Sequence, residues 1–177
     1  MTGLNKFVIS IGGKSGSGKT TLLKKIIPIL VKKGYKVGAI KHTHHDFEID
    51  KRGKDSWAYR KAGAESVVIA SKDRMAFVRE LDNEVPANEI IYELFNDVDI
   101  ILMEGYKKED FPRIEVIGKN GKEEINRTFL NSSLLLMIVS EEPLELDTFV
   151  PMYNPNKVNK IADFIEEKMN SFYQNSY

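Results

Sequence analysis

The sequence predicts an α/β fold in which a mainly parallel sheet carries helices on both faces. Short apolar runs rich in β-branched residues alternate along the chain with segments whose apolar residues recur at helical spacing. That alternation is typical of parallel strands joined by crossover helices. A glycine-rich stretch joins the first apolar run, Phe7–Ile11, to the first helical pattern. With 177 residues, the chain is expected to form one domain over residues 1–177.

The glycine-rich stretch Gly13–Thr20 has the spacing G-x-x-x-x-G-K-T of a phosphate-binding P-loop. Its glycines tolerate positive φ, so the backbone can wrap around a phosphate and direct successive N–H groups at it. Lys19 would add a positive charge beside the β- and γ-phosphates, and the Thr20 hydroxyl would be a Mg²⁺ ligand. The residues predicted to contact the nucleotide are Gly13, Lys14, Ser15, Gly16, Ser17, Gly18, Lys19, Thr20 and Thr21. The sequence therefore predicts a P-loop NTPase. For Lys14, a solvated side chain is the alternative to a contact with a second subunit's nucleotide.

The first half of the chain contains two further groups of predicted elements. A long helix has its apolar positions between Leu22 and Val31, with Pro28 expected to kink it and Gly34 to end it. The elements after it are a strand over Lys36–Lys41, a short helix from Asp55 or Ser56 to Ala62, and strands at Ser66–Ala70 and Arg74–Arg79. A compact turn separates the last two strands, which predicts an antiparallel pair.

The second half is predicted to complete the sheet and to add a β-hairpin excursion. Its elements are a helix opened by Pro86, strands at Val98–Gly105, Leu134–Val139 and Phe149–Tyr153, and a final helix capped by Asn154 with Pro155 in its first position. Between these, Asn120-Gly121 is flanked by Arg113–Gly118 and Lys122–Ile125. An Asn-Gly pair between two such runs is a strong signal for a type I′ hairpin turn.

Two acids mark opposite ends of the predicted strand Val98–Gly105. In parallel sheets the ligand lies at the carboxyl ends of the strands, which is where Glu104 falls. Asp99 comes five residues earlier, so at about 3.3 Å per residue it lies roughly 16 Å away at the opposite edge. Glu104, with Thr20, is therefore the predicted contact for Mg²⁺ or its water shell, and Asp99 a cap or surface charge.

The segment from His42 to Asp55 is polar and contains all three histidines of the protein. It follows the carboxyl end of a predicted strand, so it is expected to project over the same rim as the P-loop. Its chemistry-bearing side chains are His42, His44, His45, Asp46 and Asp50. Three interpretations stay open: a zinc or nickel site, a loop that contacts phosphate or substrate while Asp46 or Asp50 positions water, or a solvated loop.

Composition excludes several classes of function. Lysine and arginine together number 26, as do aspartate and glutamate, so the net charge of zero argues against general binding of nucleic acid or anionic membranes. Without cysteine there is no disulfide framework or thiolate metal site. The first residues lack the apolar region of a signal peptide, and no apolar run approaches the roughly 20 residues of a membrane span. A cytoplasmic protein is expected.

Four stretches together resemble the MobB family: S-G-S-G-K-T-T-L at Ser15–Leu22, I-K-H-T-H-H-D at Ile40–Asp46, G-K-D-S with A-G-A at 53–56 and 62–64, and M-E-G-Y-K at Met103–Lys107. The resemblance runs from about Phe7 to the final helix. It implies a GTP-binding accessory protein of molybdenum-cofactor biosynthesis that uses Mg²⁺, hydrolyses GTP slowly and forms a homodimer. It also implies work beside MobA, the guanylyltransferase that attaches GMP to molybdopterin, and contact with molybdopterin or molybdoenzymes.

The residues that would recognise guanine are not evident from the sequence. The stretch N-K-V-N at Asn156–Asn159 is close to the guanine-reading pattern N-K-x-D but ends in an amide, which cannot accept two N–H groups as a carboxylate does. A loop around Ser140 and Glu141 is the alternative. Two other functions also stay open: a small-molecule kinase, although no arginine-rich lid stands out, and a metallochaperone GTPase that loads nickel or zinc through the histidines.

Overall fold

The structure is a computed structural model that describes residues 6–43, 47, 49–106, 108–119, 132–146 and 148–175. The helices assigned there are α1 (Lys19–Lys32), α2 (Asp55–Lys61), α3 (Ala87–Leu94) and α4 (Val158–Gln174). The strands are β1 (Phe7–Gly12), β2 (Val37–Lys41), β3 (Ser66–Ala70), β4 (Met75–Arg79), β5 (Ile100–Glu104), β6 (Arg113–Ile117), β7 (Leu135–Ser140) and β8 (Met152–Tyr153). The chain divides into two compact units, Met1–His42 with Ile90–Tyr177, and Thr43–Glu89. A single domain over residues 1–177 stays a prediction.

The larger unit is built on a six-stranded sheet with the order β2-β5-β1-β6-β7-β8. All five neighbouring pairs are parallel, which confirms the predicted fold class. The β5 register aligns Glu104 with both Ile11 of β1 and Lys41 of β2. The carboxyl ends of these strands therefore lie level along one edge of the sheet. The P-loop leaves that edge at its centre, because it follows β1.

The main core lies between this sheet and helices α1 and α4. Alternate strand residues face the two helices because successive side chains point to opposite faces of a strand. The strand residues are Phe7, Ile9, Ile11, Ile100, Leu102, Ile114, Val116, Met137 and Val139, and the helix residues are Leu22, Leu23, Ile26, Leu30, Ile161, Ala162, Ile165 and Met169. Each large aliphatic side chain here stabilises the fold by roughly 1.5–3 kcal/mol. Helix α1 continues through Pro28 over its full span.

The opposite face of the sheet is covered by other segments of the same unit. Phe95, directly after α3, packs on β2 where Gly38 has no side chain: its ring carbon lies 2.5 Å from the position a Cβ would take. A second cluster joins Ile117, Leu135 and Ile138 to partly buried residues of the 144–152 segment. Helices α1 and α4 therefore cover one face, while Phe95 after α3 and residues between β7 and β8 pack on the other.

The smaller unit contains α2 and the antiparallel pair β3–β4. Val68 pairs with Phe77 in the register, and the predicted turn between the strands is present. Ser71 closes that turn: its N–H donates to the carbonyl of Arg74 at 2.8 Å, and its Oγ accepts from the Arg74 N–H at 3.2 Å. The predicted antiparallel pair is confirmed.

Two details differ from the expectations. Arg113–Ile117, expected as the first arm of a hairpin, is a central strand of the parallel sheet with β1 and β7 on its two sides. The Asn120-Gly121 turn and its second arm lie outside the described residues. Helix α4 begins at Val158 instead of Pro155, because the Asn154 Oδ1 accepts the N–H of Asn156 and closes a turn before the helix.

None of the helices in the described ranges is long and apolar enough to cross a membrane.

Candidate nucleotide-binding site

The P-loop connects β1 directly to α1, and three of its glycines have positive φ. Gly13, Gly16 and Gly18 have φ of 130°, 77° and 99°, a region that residues with a Cβ adopt at a cost. Gly18 is the N-cap of α1 and has no side chain to accept a hydrogen bond from the first turn. The N–H groups at this end of the helix are therefore available to an anion, and the helix dipole favours negative charge there.

The glycines serve two different purposes. A Cβ on Gly13 would overlap the carbonyl oxygen of Val116, so glycine is needed there for packing against β6 as well as for its φ. At Gly16 and Gly18 a Cβ would meet no atom within 4 Å beyond the neighbouring backbone. The space beside these two residues is open, which is what close approach of a phosphate needs.

Lys19 lies across the mouth of this loop. Its Nζ donates to the carbonyl oxygens of Gly13 at 3.0 Å and Lys14 at 2.6 Å. A triphosphate in the loop would offer the same ammonium a stronger, charge-assisted acceptor. The side chain of Lys14 itself is exposed. Lys19 is thus held in position by the loop that it is predicted to serve.

The two predicted Mg²⁺ contacts, Thr20 and Glu104, meet at the sheet edge. The Thr20 Oγ1 donates to the Glu104 Oε2 at 3.1 Å, although 84 residues separate them. Asp99 lies at the other end of β5, where its Oδ2 accepts the N–H of Lys36 at 2.7 Å. A hydroxyl and a carboxylate oxygen are hard oxygen ligands of the kind Mg²⁺ takes. The residues present therefore fit Mg²⁺ at Glu104 and not at Asp99.

Glu104→Gln should raise the Mg²⁺ concentration needed for half-maximal triphosphate binding by about tenfold. The amide keeps the size of the side chain but loses the charge, and such a contact is worth roughly 1.5 kcal/mol or more. Asp99→Asn is the matched control, since it removes a carboxylate from the same strand at the opposite edge. A Mg²⁺ titration in which Asp99→Asn gives the larger shift would contradict the assignment.

His42 is joined to the residues that follow Glu104. Its backbone N–H donates to the Glu104 carbonyl at 2.8 Å, and its ring centroid lies 4.3 Å from that of Tyr106. Gly105 (φ 106°) permits this approach, because a Cβ there would come within 2.6 Å of the His42 Cβ. Tyr106 has φ 47°, which is uncommon for a residue with a side chain. The sequence presents this tyrosine only as part of the M-E-G-Y-K stretch, and sequence reasoning missed its contact with His42.

Asp50, a candidate for positioning water, is buried in the smaller unit and held by Arg60. The guanidinium donates two hydrogen bonds to the carboxylate, Nε to Oδ2 at 3.0 Å and Nη2 to Oδ1 at 2.8 Å, and it also contacts Glu80. These bonds from Arg60 lower the pKa of Asp50 below its ordinary value of 3.8. The contacts show that Asp50 is engaged by Arg60 within the smaller unit. Its role in positioning water stays a prediction.

The Asp50–Arg60 pair gives the fold an acid-sensitive contribution. A carboxyl whose folded-state pKa is depressed stabilises the fold above its unfolded pKa, and that contribution disappears as pH falls through the lower folded value. Asp50→Asn should therefore lower the melting temperature at pH 7, and the gap to wild type should close below about pH 4. Thermal melts across this range would measure it, with Glu80→Gln as a control at the more exposed partner. A gap that widens on acidification would contradict the role of the pair.

The other candidates in the histidine-rich segment lie outside the described residues: His44, His45 and Asp46. Within the described ranges, no group of three or more histidine, aspartate or glutamate side chains is arranged to hold a metal ion. The zinc or nickel interpretation depends on those three residues, so it stays an untested alternative.

Comparison with known proteins gives consistent results over most of the chain. The family model for MobB, molybdopterin guanine dinucleotide synthesis protein B, matches residues 8–141. The molybdopterin-guanine dinucleotide biosynthesis adapter protein of Escherichia coli K12 is 38% identical over 165 residues, which cover 92% of this chain and 93% of that protein. The protein of the same name from Haemophilus influenzae is 34% identical over 168 residues, covering 94% and 91%.

A solved structure shares the same fold. The crystal structure of molybdopterin-guanine biosynthesis protein B superposes with a TM-score of 0.73 at 31% identity, covering 91% of this chain and 99% of that one. The family match includes the P-loop, the end of β2 and Glu104. The matches in sequence and structure agree with the observed P-loop and the parallel sheet around it. The chain belongs to the MobB family.

Proposed function

We propose that this chain is a GTP-binding accessory protein of molybdenum-cofactor biosynthesis that assists formation of the molybdopterin guanine dinucleotide cofactor. The observation that carries the proposal is the P-loop with the Thr20–Glu104 contact, in a chain whose high-coverage relatives are named adapter proteins of that pathway. GTP would lie with its phosphates in the loop between Gly13 and Thr21. Mg²⁺, when bound with it, supplies positive charge that neutralises the phosphate oxygens.

The partner in this proposal is a MobA-type guanylyltransferase, with molybdopterin or a molybdoenzyme as further contacts. A reconstituted reaction tests it: purified guanylyltransferase, molybdopterin cofactor, GTP and Mg²⁺, with and without this protein. Addition of the wild-type protein should increase the yield of guanine dinucleotide cofactor. An unchanged yield over a range of protein concentrations would refute the accessory role. The chain is also proposed to act in the cytoplasm, where GTP is supplied, and as a homodimer, which light scattering in solution would measure.

Hydrolysis by the isolated protein should be slow, far below a typical enzyme turnover of about 10 per second. Fast phosphoryl transfer needs an oriented water and a cation on the developing charge, and an arginine supplied for this can contribute 10³–10⁵-fold. No arginine occurs between Gly13 and Ile49, and Arg60 is engaged by Asp50 and Glu80. Phosphate release from GTP at steady state is the measurement. Turnover at tens per second would mean that the protein is an enzyme in its own right.

A further inference from the structure

The carboxyl ends of β6 and β7 lie beside the P-loop and bring two charged side chains together. The register aligns Ile117 with Ser140, so the residues that follow them, Gly118 and Glu141, leave the sheet at the same level. Gly118 lies directly against the P-loop: a Cβ on it would come within 3.2 Å of the Ser17 Cα. The next residue, Lys119, forms an ion pair with Glu141, with Nζ and Oε2 3.4 Å apart.

The backbone at Glu141 is held by the segment that leads into α4. The Asn154 Nδ2 donates to the Glu141 carbonyl at 3.0 Å, and the Oδ1 of the same amide accepts the N–H of Asn156 at 2.9 Å. Asn154 follows β8, the neighbour of β7 in the sheet. Its two hydrogen bonds therefore connect the ends of two adjacent strands. The Glu141 carboxylate itself is about half exposed, at 47%, and so is open to a ligand on the rim.

A nucleotide whose phosphates occupy the P-loop must extend its base along this same rim. Ligands of parallel sheets lie outside the carboxyl ends of the strands, and the P-loop follows the central strand β1. On the β5 side the rim next to the loop is taken by Glu104 and the His42–Tyr106 contact. On the other side it is formed by Gly118, Lys119 and Glu141. Judged from the described residues, the β6–β7 side of the rim is therefore the one that would receive a base.

The near match to the guanine-reading pattern at Asn156–Asn159 is less suited to this role. The N–H of Asn156 is used in the turn closed by Asn154, and Asn159 lies in the first turn of α4. That turn contains no acidic residue. A guanine reader needs one group that accepts both N1–H and the N2 amino group, which a carboxylate does and an amide does not.

We propose that Glu141 is the guanine-specificity residue of this P-loop, accepting guanine N1–H and N2–H through its two carboxylate oxygens. The inference rests on the proposed binding of GTP and deepens it. Lys119 forms an ion pair with the Glu141 carboxylate, and Asn154 holds the Glu141 backbone through its hydrogen bond to the carbonyl. Adenine presents an acceptor at N1 and no amino group at C2, so the same carboxylate disfavours it.

Exchange of the carboxylate for an amide tests this proposal with xanthosine triphosphate as the probe. Xanthine keeps N1–H but has a carbonyl oxygen where guanine has its amino group. The amide of Glu141→Gln can accept the N1–H of xanthine and donate to its carbonyl oxygen. With guanine, the same amide loses the hydrogen bond that the Glu141 carboxylate would accept from the amino group. Affinity for GTP should fall by roughly 10–100-fold, affinity for xanthosine triphosphate should rise by a comparable factor, and ATP should be little affected.

The experiment is a calorimetric titration of the full chain with each triphosphate and Mg²⁺. Wild type should prefer GTP over both others, and Glu145→Gln, which changes an exposed glutamate of the same loop, should keep that preference. An unchanged ratio of GTP to xanthosine triphosphate affinity in Glu141→Gln overturns the inference, as does an equal loss for all three nucleotides. Wild type that binds no triphosphate would instead refute the proposed function itself.

Discussion

Lys19→Ala should reduce GTP affinity by roughly 10–150-fold while leaving the fold intact. A hydrogen bond to a charged group is worth about 1.5–3 kcal/mol, and Lys19 is the P-loop cation that would face the β- and γ-phosphates. Its Nζ donates to two neutral acceptors, the carbonyl oxygens of Gly13 and Lys14. Losing these neutral contacts should cost the fold little. Titration with GTP and Mg²⁺ measures the loss.

The control for this variant is Lys24→Ala. Lys24 is an exposed lysine on the same helix, little more than one turn further along. Lys24→Ala should bind GTP as wild type does, and the melting temperatures of Lys19→Ala and Lys24→Ala should lie within a few degrees of wild type. Near-normal GTP binding by Lys19→Ala would refute the P-loop assignment. The same variant should also fail to stimulate cofactor formation, because the accessory role is proposed to depend on bound nucleotide.

The triple replacement of His42, His44 and His45 by alanine should spare GTP binding but abolish stimulation of guanine dinucleotide cofactor formation. We propose that the segment from Lys41 to Asp50 is a contact surface for the guanylyltransferase or for molybdopterin, shaped by bound GTP. The His42 side chain lies near the predicted Mg²⁺ contact, since its ring centroid lies 4.3 Å from that of Tyr106, two residues after Glu104. His44 and His45 would supply the side chains that contact the partner. The readout is the yield of the reconstituted guanylyltransferase reaction.

Two control variants separate a contact surface from a general loss of structure. Lys51→Ala with Lys54→Ala removes two exposed side chains near the histidines in the chain and should leave stimulation unchanged. His42→Phe keeps a ring against Tyr106 and should retain GTP binding at the wild-type level. Normal stimulation by the triple variant would mean that the histidines carry no part of the accessory role. Loss of GTP binding in the triple variant would mean that the histidines contribute to nucleotide binding instead of to partner contact.

The candidate site shows which functional residues a local sequence pattern can predict. Spacing alone predicts the loop Gly13–Thr20, because a phosphate loop needs glycine at positions of positive φ and a lysine at the start of the helix. The carboxyl-end rule places Glu104 at the rim and Asp99 away from it, and both lie there in the structure. In contrast, no local sequence pattern predicts the ion pair of Asp50 with Arg60, because whether the two side chains meet depends on how the residues between them fold.

Residue types and short-range periodicity are enough to predict the P-loop, the parallel character of the sheet and most of the buried face of α1. Local sterics and hydrophobic burial dictate these features within short stretches of chain. The three-dimensional arrangement was needed to show that β6 is a central strand instead of a hairpin arm, and that Gly118 lies on Ser17 while Lys119 meets Glu141. Those outcomes depend on which strands become neighbours. Strand order is set by the packing of the whole sheet against α1 and α4, and residues far apart in sequence meet only after that packing is complete.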